Sequence, residues 1–283
     1  MRWKSAVQTL KREGVVRSAW KLGYHIERLG GSAVRRSAWK LGYRIERFGE
    51  ADAYDYDCMT IRARHIPFLK DARFLSAYNQ GINSDHTTPS GERDGKLHIE
   101  WRCAVTCWAA AHGAKLPGDF VECGVNTGVR SLAICEYLDF NSLDKSFYLF
   151  DTYCGIPIEQ ASEKERSFRK VLNEHYPDCF EAAKKNFAAF PRAKLIRGKV
   201  PDTLNSVEIN RVCYLHIDMN IAYPERKAIE HFWPKLSPGA LVVLDDYAWK
   251  DYEEQMGAMD EFAKSVSVEI LTLPTGQGLL IKP

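Results

Sequence analysis

No apolar run in this chain approaches the ~18–20 residues that a membrane-spanning helix needs, which excludes such a span. The first residues carry no apolar core, so a secretory leader is not expected. The eight cysteines, at positions 58, 103, 107, 123, 135, 154, 179 and 213, include no Cys-x-x-Cys pair. That argues against zinc ligation and for reduced, mostly buried thiols in a cytoplasmic protein. A Gly-x-Gly-x-x-Gly dinucleotide fingerprint is also missing, because Asn126 stands where its second glycine would be.

What is present is globular. Of 283 residues, 45% are hydrophobic and 27% charged, enough for one large domain with an appendage. The net charge of +2 conceals an asymmetry. Residues 1–49 hold 12 Lys and Arg against 3 Glu, whereas the rest holds 27 basic against 34 acidic residues. Within the basic stretch, the segment Arg17–Gly30 recurs as Arg36–Gly49, a period of 19 residues. At about 100° per residue a continuous helix would not align the two apolar faces, and Gly30-Gly31-Ser32 offers a break. Two short amphipathic helices are expected, each with a Trp and a Tyr four apart: Trp20 and Tyr24, then Trp39 and Tyr43. They suit either docking on an anionic membrane surface or packing on the main domain. Nucleic acid is disfavoured because the basicity stops at residue 49.

Residues 50–96 read as a connector, helical from Asp71 to Gln80, with a polar loop from Asn83 to Gly95 that could serve as a lid. Beyond it the pattern alternates. The segment Asp119–Cys123 is a short buried strand, followed by a glycine turn, Gly124–Gly128, and a helix from Val129 to Tyr137. Phe147–Asp151, Lys194–Arg197, Val212–Asp218 and Leu241–Tyr247 are further strands. Helices are expected over 97–112, 163–173, 180–190, 225–233 and 252–265. A terminal hairpin pairs 266–273 with 279–282. This alternation predicts an α/β fold: a Rossmann-like, doubly wound, mostly parallel sheet of seven strands with a C-terminal antiparallel hairpin and a helical N-terminal extension. The expected division is 1–49, 50–96 and 97–283. Several strands end in acid, which places Asp151, Asp218, Asp245 and Asp246 at the carboxyl edge, where ligands bind such sheets. His98 and Glu100, ahead of the first strand, could also reach a substrate.

Gly118–Gly128, Phe150–Pro157 and Pro234–Tyr247 together resemble the macrocin-O-methyltransferase-like family of class I S-adenosylmethionine-dependent methyltransferases, over roughly 97–283. The resemblance implies an O-methyltransferase acting on a hydroxyl of a sugar or glycosylated metabolite, with S-adenosylmethionine as cofactor. It implies that Glu122 faces the methionine ammonium and Asp151 the ribose. Backbone at Gly124, Val125, Asn126, Thr127 and Gly128 would approach the donor closely, and Thr152, Gly198 and Lys199 would flank the adenine. Asp218 borders the donor as well.

An alcohol is a poor nucleophile at neutral pH, so a base or a divalent cation is needed. Three carboxylates that converge without counter-charge repel one another unless they take up a cation or protons, and hard oxygen ligands suit Mg²⁺. Relatives hold Mg²⁺ with acids at these strand tips. The expected metal ligands are therefore Asp218, Asp245 and Asp246, with Asp218 doubling as proton acceptor. Two departures stand out: Asp218-Met219-Asn220 replaces the relatives' Asp-Gly-Asp, and Gly128-Val129 replaces their Gly-Gly. Relatives also pair as homodimers. Two alternatives remain at this point: a nicotinamide-dependent oxidoreductase on a similar sheet, and a non-catalytic adaptor that docks through the basic repeat.

Overall fold

The computed structural model describes residues 54–61, 64–86 and 96–283. The repeat at 17–49 and most of the expected lid lie outside the described residues. The chain divides into two compact units. One comprises residues 1–54 and 61–65, of which only 54, 61, 64 and 65 are described. The other comprises 55–60 and 66–283 and carries the sheet.

Two short strands, β1 (Tyr54–Tyr56) and β2 (Met59–Ile61), are joined at Asp57 and Cys58, both with positive φ. The connector reading missed this hairpin, because its three-residue strands are too short to show alternation. Helix α1 (Ala72–Ile82) follows, its N-terminus capped by the Asp71 carboxylate, which accepts the Arg73 amide. Next comes α2 (Glu100–Gly113).

The main sheet holds β3 (Asp119–Cys123), β4 (Phe147–Asp151), β5 (Ala193–Arg197), β6 (Val212–Ile217), β7 (Leu236–Leu244), β8 (Leu271–Thr272) and β9 (Gly278–Ile281). Their order across the sheet is β5-β4-β3-β6-β7-β9-β8. The pairs from β5 to β7 are parallel, and β9 runs antiparallel to both β7 and β8. This is the expected Rossmann-like sheet with its terminal hairpin. The strand order reverses beside β3, so the crevice opens beyond the ends of β3 and β6.

Side-chain alternation splits the core into two layers. Val121, Phe150, Leu215, Ile217, Val242 and Leu244 face α6 (Ala222–Phe232) and α7 (Glu253–Ser265). Phe120, Phe147, Leu149, Tyr214 and Val243 face α2 and α3 (Val129–Leu138). Two further helices are α4 (Glu163–Asn173) and α5 (Phe180–Asn186); Ala183 of α5 joins the layer on the side of α2 and α3, and α5 stops four residues earlier than its sequence suggests.

Strand β7 begins five residues before the expected Leu241. Leu236 pairs with Val212, and the register then shifts so that Leu241 pairs with Tyr214. The Pro238-Gly239 step, with Gly239 at φ +81°, absorbs the extra residues as an irregularity. Among the described residues, no helix is long and apolar enough to cross a membrane.

Candidate active site

The β3–α3 turn is fixed by close approaches within the protein. A Cβ at Gly124, where φ is +92°, would fall 1.8 Å from the Asp218 carbonyl oxygen. At Gly128, with φ +104°, it would fall 2.6 Å from the Phe187 ring. Glycine is required at both places to bring β6 and α5 against the turn, rather than only to admit a ligand. Asp151 binds the same turn. Its Oδ2 accepts the amides of Val125 and Asn126 at 2.5 and 2.8 Å, and its Oδ1 accepts the Tyr153 amide at 2.5 Å. The carboxylate expected on a ribose is therefore engaged by backbone in this structure.

A cavity of about 340 Å³ lies at the carboxyl edge of the sheet. Of the residues singled out from sequence, Glu122, Gly124, Val125, Asn126, Asp151, Thr152, Gly198, Asp218, Asp245 and Asp246 line it. Thr127, Gly128 and Lys199 do not. Thr127 is buried behind the turn, its hydroxyl 2.9 Å from that of Ser84. Lys199 turns outward to Glu159. His98 pairs with Glu100 at 2.7 Å and stacks on Tyr56, and neither His98 nor Glu100 lines the cavity.

The largest departure from expectation is electrostatic. The strand-tip acids do not converge without counter-charge. Arg130, in the first turn of α3, donates from Nη1 to Asp218 Oδ2 at 2.9 Å and from Nη2 to Asp245 Oδ2. Arg102, in the first turn of α2, donates from Nη1 to the same Asp245 oxygen at 2.9 Å. Its other nitrogens, Nε and Nη2, clasp both oxygens of Asp57 at 3.0 and 3.1 Å. The second Asp245 oxygen accepts the Gln277 amide at 2.9 Å and lies 3.6 Å from His216 Nε2. Across the sheet, His216 Nδ1 is 3.2 Å from Glu122 Oε1.

Burial pushes the Asp245 carboxyl up, but Arg130, Arg102 and His216 outweigh it and hold the group well below the carboxylate range. Burial, and then the charge of Asp245, raise Asp218 to about 6 against the pull of Arg130. Asp246 is driven well above its ordinary value by burial and by Asp218 and Asp245. Burial disfavours the His216 imidazolium, yet its bonds to Asp245 and Glu122 lift it to about 9.

The metal expectation therefore meets a poor fit. By distance alone, His216, Asp218 and Asp245 could gather around one ion, their ligand atoms lying within 4.8 Å of one another. But Arg130 already takes one oxygen of Asp218 and one of Asp245, Arg102 takes that same Asp245 oxygen, and the other Asp245 oxygen accepts Gln277. Asp246 lies 3.9 Å from Arg102 and is not part of that set.

The donor pocket fits better. Among the described residues, Glu122 Oε2 and Asn126 Oδ1 are buried acceptors without a partner, and both residues line the cavity. Two unmatched acceptors call for a ligand rich in N–H or O–H donors, such as an ammonium.

Arg102, Arg130, His216 and Asp57 were not read from sequence. One signal was available for the arginines. A cation in the first turn of a helix opposes the helix dipole, so it needs an acidic partner nearby.

Strand order and cavity position together define a class I methyltransferase fold. The model of the macrocin-O-methyltransferase (TylF) family matches residues 104–271, and the chain belongs to that family. A Streptomyces olivaceus 8-demethyl-8-(2,3-dimethoxy-alpha-L-rhamnosyl)-tetracenomycin-C 4'-O-methyltransferase is 27% identical over 141 residues, covering 47% of this chain and 54% of that protein. The mycinamicin III 3''-O-methyltransferase of Micromonospora griseorubida is 22% identical over 177 residues, 56% of this chain and 69% of that protein. The chain thus spans about half the length of the first relative and about two thirds of the second. The solved O-methyltransferase NovP superposes with a TM-score of 0.58 at 22% identity, covering 66% of this chain and 83% of that one.

Proposed function

We propose that the chain is an S-adenosylmethionine-dependent O-methyltransferase acting on a hydroxyl of a sugar or glycosylated metabolite. The observation that carries this reading is the pair of unmatched buried acceptors, Glu122 Oε2 and Asn126 Oδ1, in the cavity of a family member. The rhamnosyl group in the name of the Streptomyces olivaceus relative supports the acceptor class.

Glu122 and Asn126 would take the donor's ammonium, and Thr152 and Gly198 would border its adenosine part. Asp151 acts indirectly, by holding the amides of Val125 and Asn126 in place. When bound, S-adenosylmethionine supplies an electrophilic methyl whose carbon–sulfur bond breaks as the acceptor's oxygen–carbon bond forms, the electron pair staying on sulfur. Asp218 is the proton acceptor for the hydroxyl. Burial and Asp245 bring its carboxyl to about 6, a strength suited to a base near neutral pH. Magnesium assistance, which the resemblance implies, has no role in this reading, because the arginines hold an oxygen of both Asp218 and Asp245.

The test is calorimetric titration of the full chain with S-adenosylmethionine, S-adenosylhomocysteine and, as the alternative ligand, NADH. Binding of the first two and not the third is expected. No binding of either at about 1 mM would end the reading.

For residues 1–49 the proposed partner is an anionic membrane surface. Co-sedimentation with phosphatidylserine vesicles should fall when these residues are removed, and equal sedimentation of both chains would refute it.

A further inference from the structure

We propose that Arg102 and Arg130 occupy the place of a divalent cation at the Asp218–Asp245 edge, so that fixed guanidinium charge, and not a metal, faces the acceptor hydroxyl. The inference rests on the methyltransferase reading for its purpose, but its geometry stands apart from it.

A hard divalent cation needs several free oxygen ligands, and Mg²⁺ needs them near octahedral positions. Asp245 has none to spare. One oxygen takes Arg102 and Arg130 together, and the other takes Gln277 with His216 nearby. Asp218 gives Oδ2 to Arg130. Arg130 thereby bridges the two carboxylates between which an ion would sit. Asn220, two residues on, offers no charge, and its Oδ1 accepts the Tyr252 hydroxyl at 3.0 Å.

The arginines are not loose side chains that an ion could push aside. They are 14% and 13% exposed. Asp57 grips Arg102 with both oxygens, from a hairpin far from the strand tips in sequence. The Trp249 ring lies 5.3 Å from the Arg102 guanidinium. An entering cation would face two like charges, and expelling either arginine would strand a buried charge.

The pair can do a cation's electrostatic work. Both guanidinium groups line the cavity beside Asp218. Positive charge fixed there favours the oxyanion that forms as the hydroxyl proton moves to Asp218, with no reorganisation at the moment of reaction. Guanidinium also keeps its charge at every working pH.

Mn²⁺ is the probe. Electron paramagnetic resonance would follow free Mn²⁺ against the full chain, with S-adenosylhomocysteine affinity measured in parallel. The wild-type chain should leave the Mn²⁺ signal unchanged to about 1 mM. Arg130→Ala should uncover the carboxylates and bind Mn²⁺ at least about tenfold more tightly, while Arg130→Lys stays closed. If Arg130→Ala loses its S-adenosylhomocysteine affinity through misfolding, Arg102→Ala is read in its place. One Mn²⁺ bound per wild-type chain and lost in Asp245→Asn would overturn the proposal. So would a folded Arg130→Ala chain that gains no Mn²⁺ affinity. Failure of the wild type to bind S-adenosylhomocysteine would instead count against the donor reading and leave the Mn²⁺ result standing.

Discussion

His216 Nδ1 lies 3.2 Å from Glu122 Oε1, and the two residues are direct neighbours across β6 and β3. The imidazole holds one carboxylate oxygen and leaves Oε2 without a partner among the described residues. If that oxygen receives the donor's ammonium, Glu122→Gln should weaken S-adenosylhomocysteine binding by about tenfold or more, the usual worth of a bond to a charged group. Titration calorimetry reads this directly. Unchanged affinity would remove Glu122 from the donor site.

Asp218 is assigned the proton. Asp218→Asn keeps the shape and an acceptor oxygen for Arg130 but removes the base. Methyl transfer should fall by about 10²–10⁴-fold, with donor affinity nearly unchanged. A radiolabelled-methyl assay on glycoside acceptors measures the first and calorimetry the second. A variant that keeps its rate would move the base elsewhere.

Gly128→Ala places a methyl 2.6 Å from the Phe187 ring, at a φ of +104°. Backbone strain and overpacking add at one position. A loss of about 2–4 kcal/mol in urea unfolding is expected. A change under about 0.5 kcal/mol would mean that the turn is not built as described.

Glu225 gives a pH signature. Burial raises its carboxyl from 4.5 to about 8, against hydrogen bonds from the Met219 amide and Gln255. The folded chain therefore holds this proton more tightly than the unfolded chain does. The stability it contributes is full below pH 4.5 and is lost as pH rises through about 8. Glu225→Gln removes the titration. Its melting temperature should gain on the wild type by at least about 3 °C between acid and mildly alkaline buffer. Parallel melting curves across that range would refute the assignment.

Much of this fold was legible because buried parallel strands write themselves as apolar runs. Phe147–Asp151 and Val212–Ile217 are such runs, and the acids at their ends marked the carboxyl edge. The hairpin around Asp57 was not legible. Positive φ at Asp57 and Cys58 has no glycine to announce it. The site divided in the same way. Acids at strand ends are visible because strand ends are visible. Arg102 and Arg130 meet Asp245 only after two helices from separate parts of the chain are packed on the sheet, over sequence separations of 143 and 115 residues. No local pattern records such a meeting, so the acids looked unbalanced.

Asp57 and Arg102 both precede residue 104, where the family match begins. A clone trimmed to the matched segment would keep every strand-tip acid and lose one of the two arginines that pair with them. Its Asp245 would keep Arg130 and His216 but lose Arg102 and the Gln277 amide, and such a fragment would report on a differently charged pocket from the one the full chain builds.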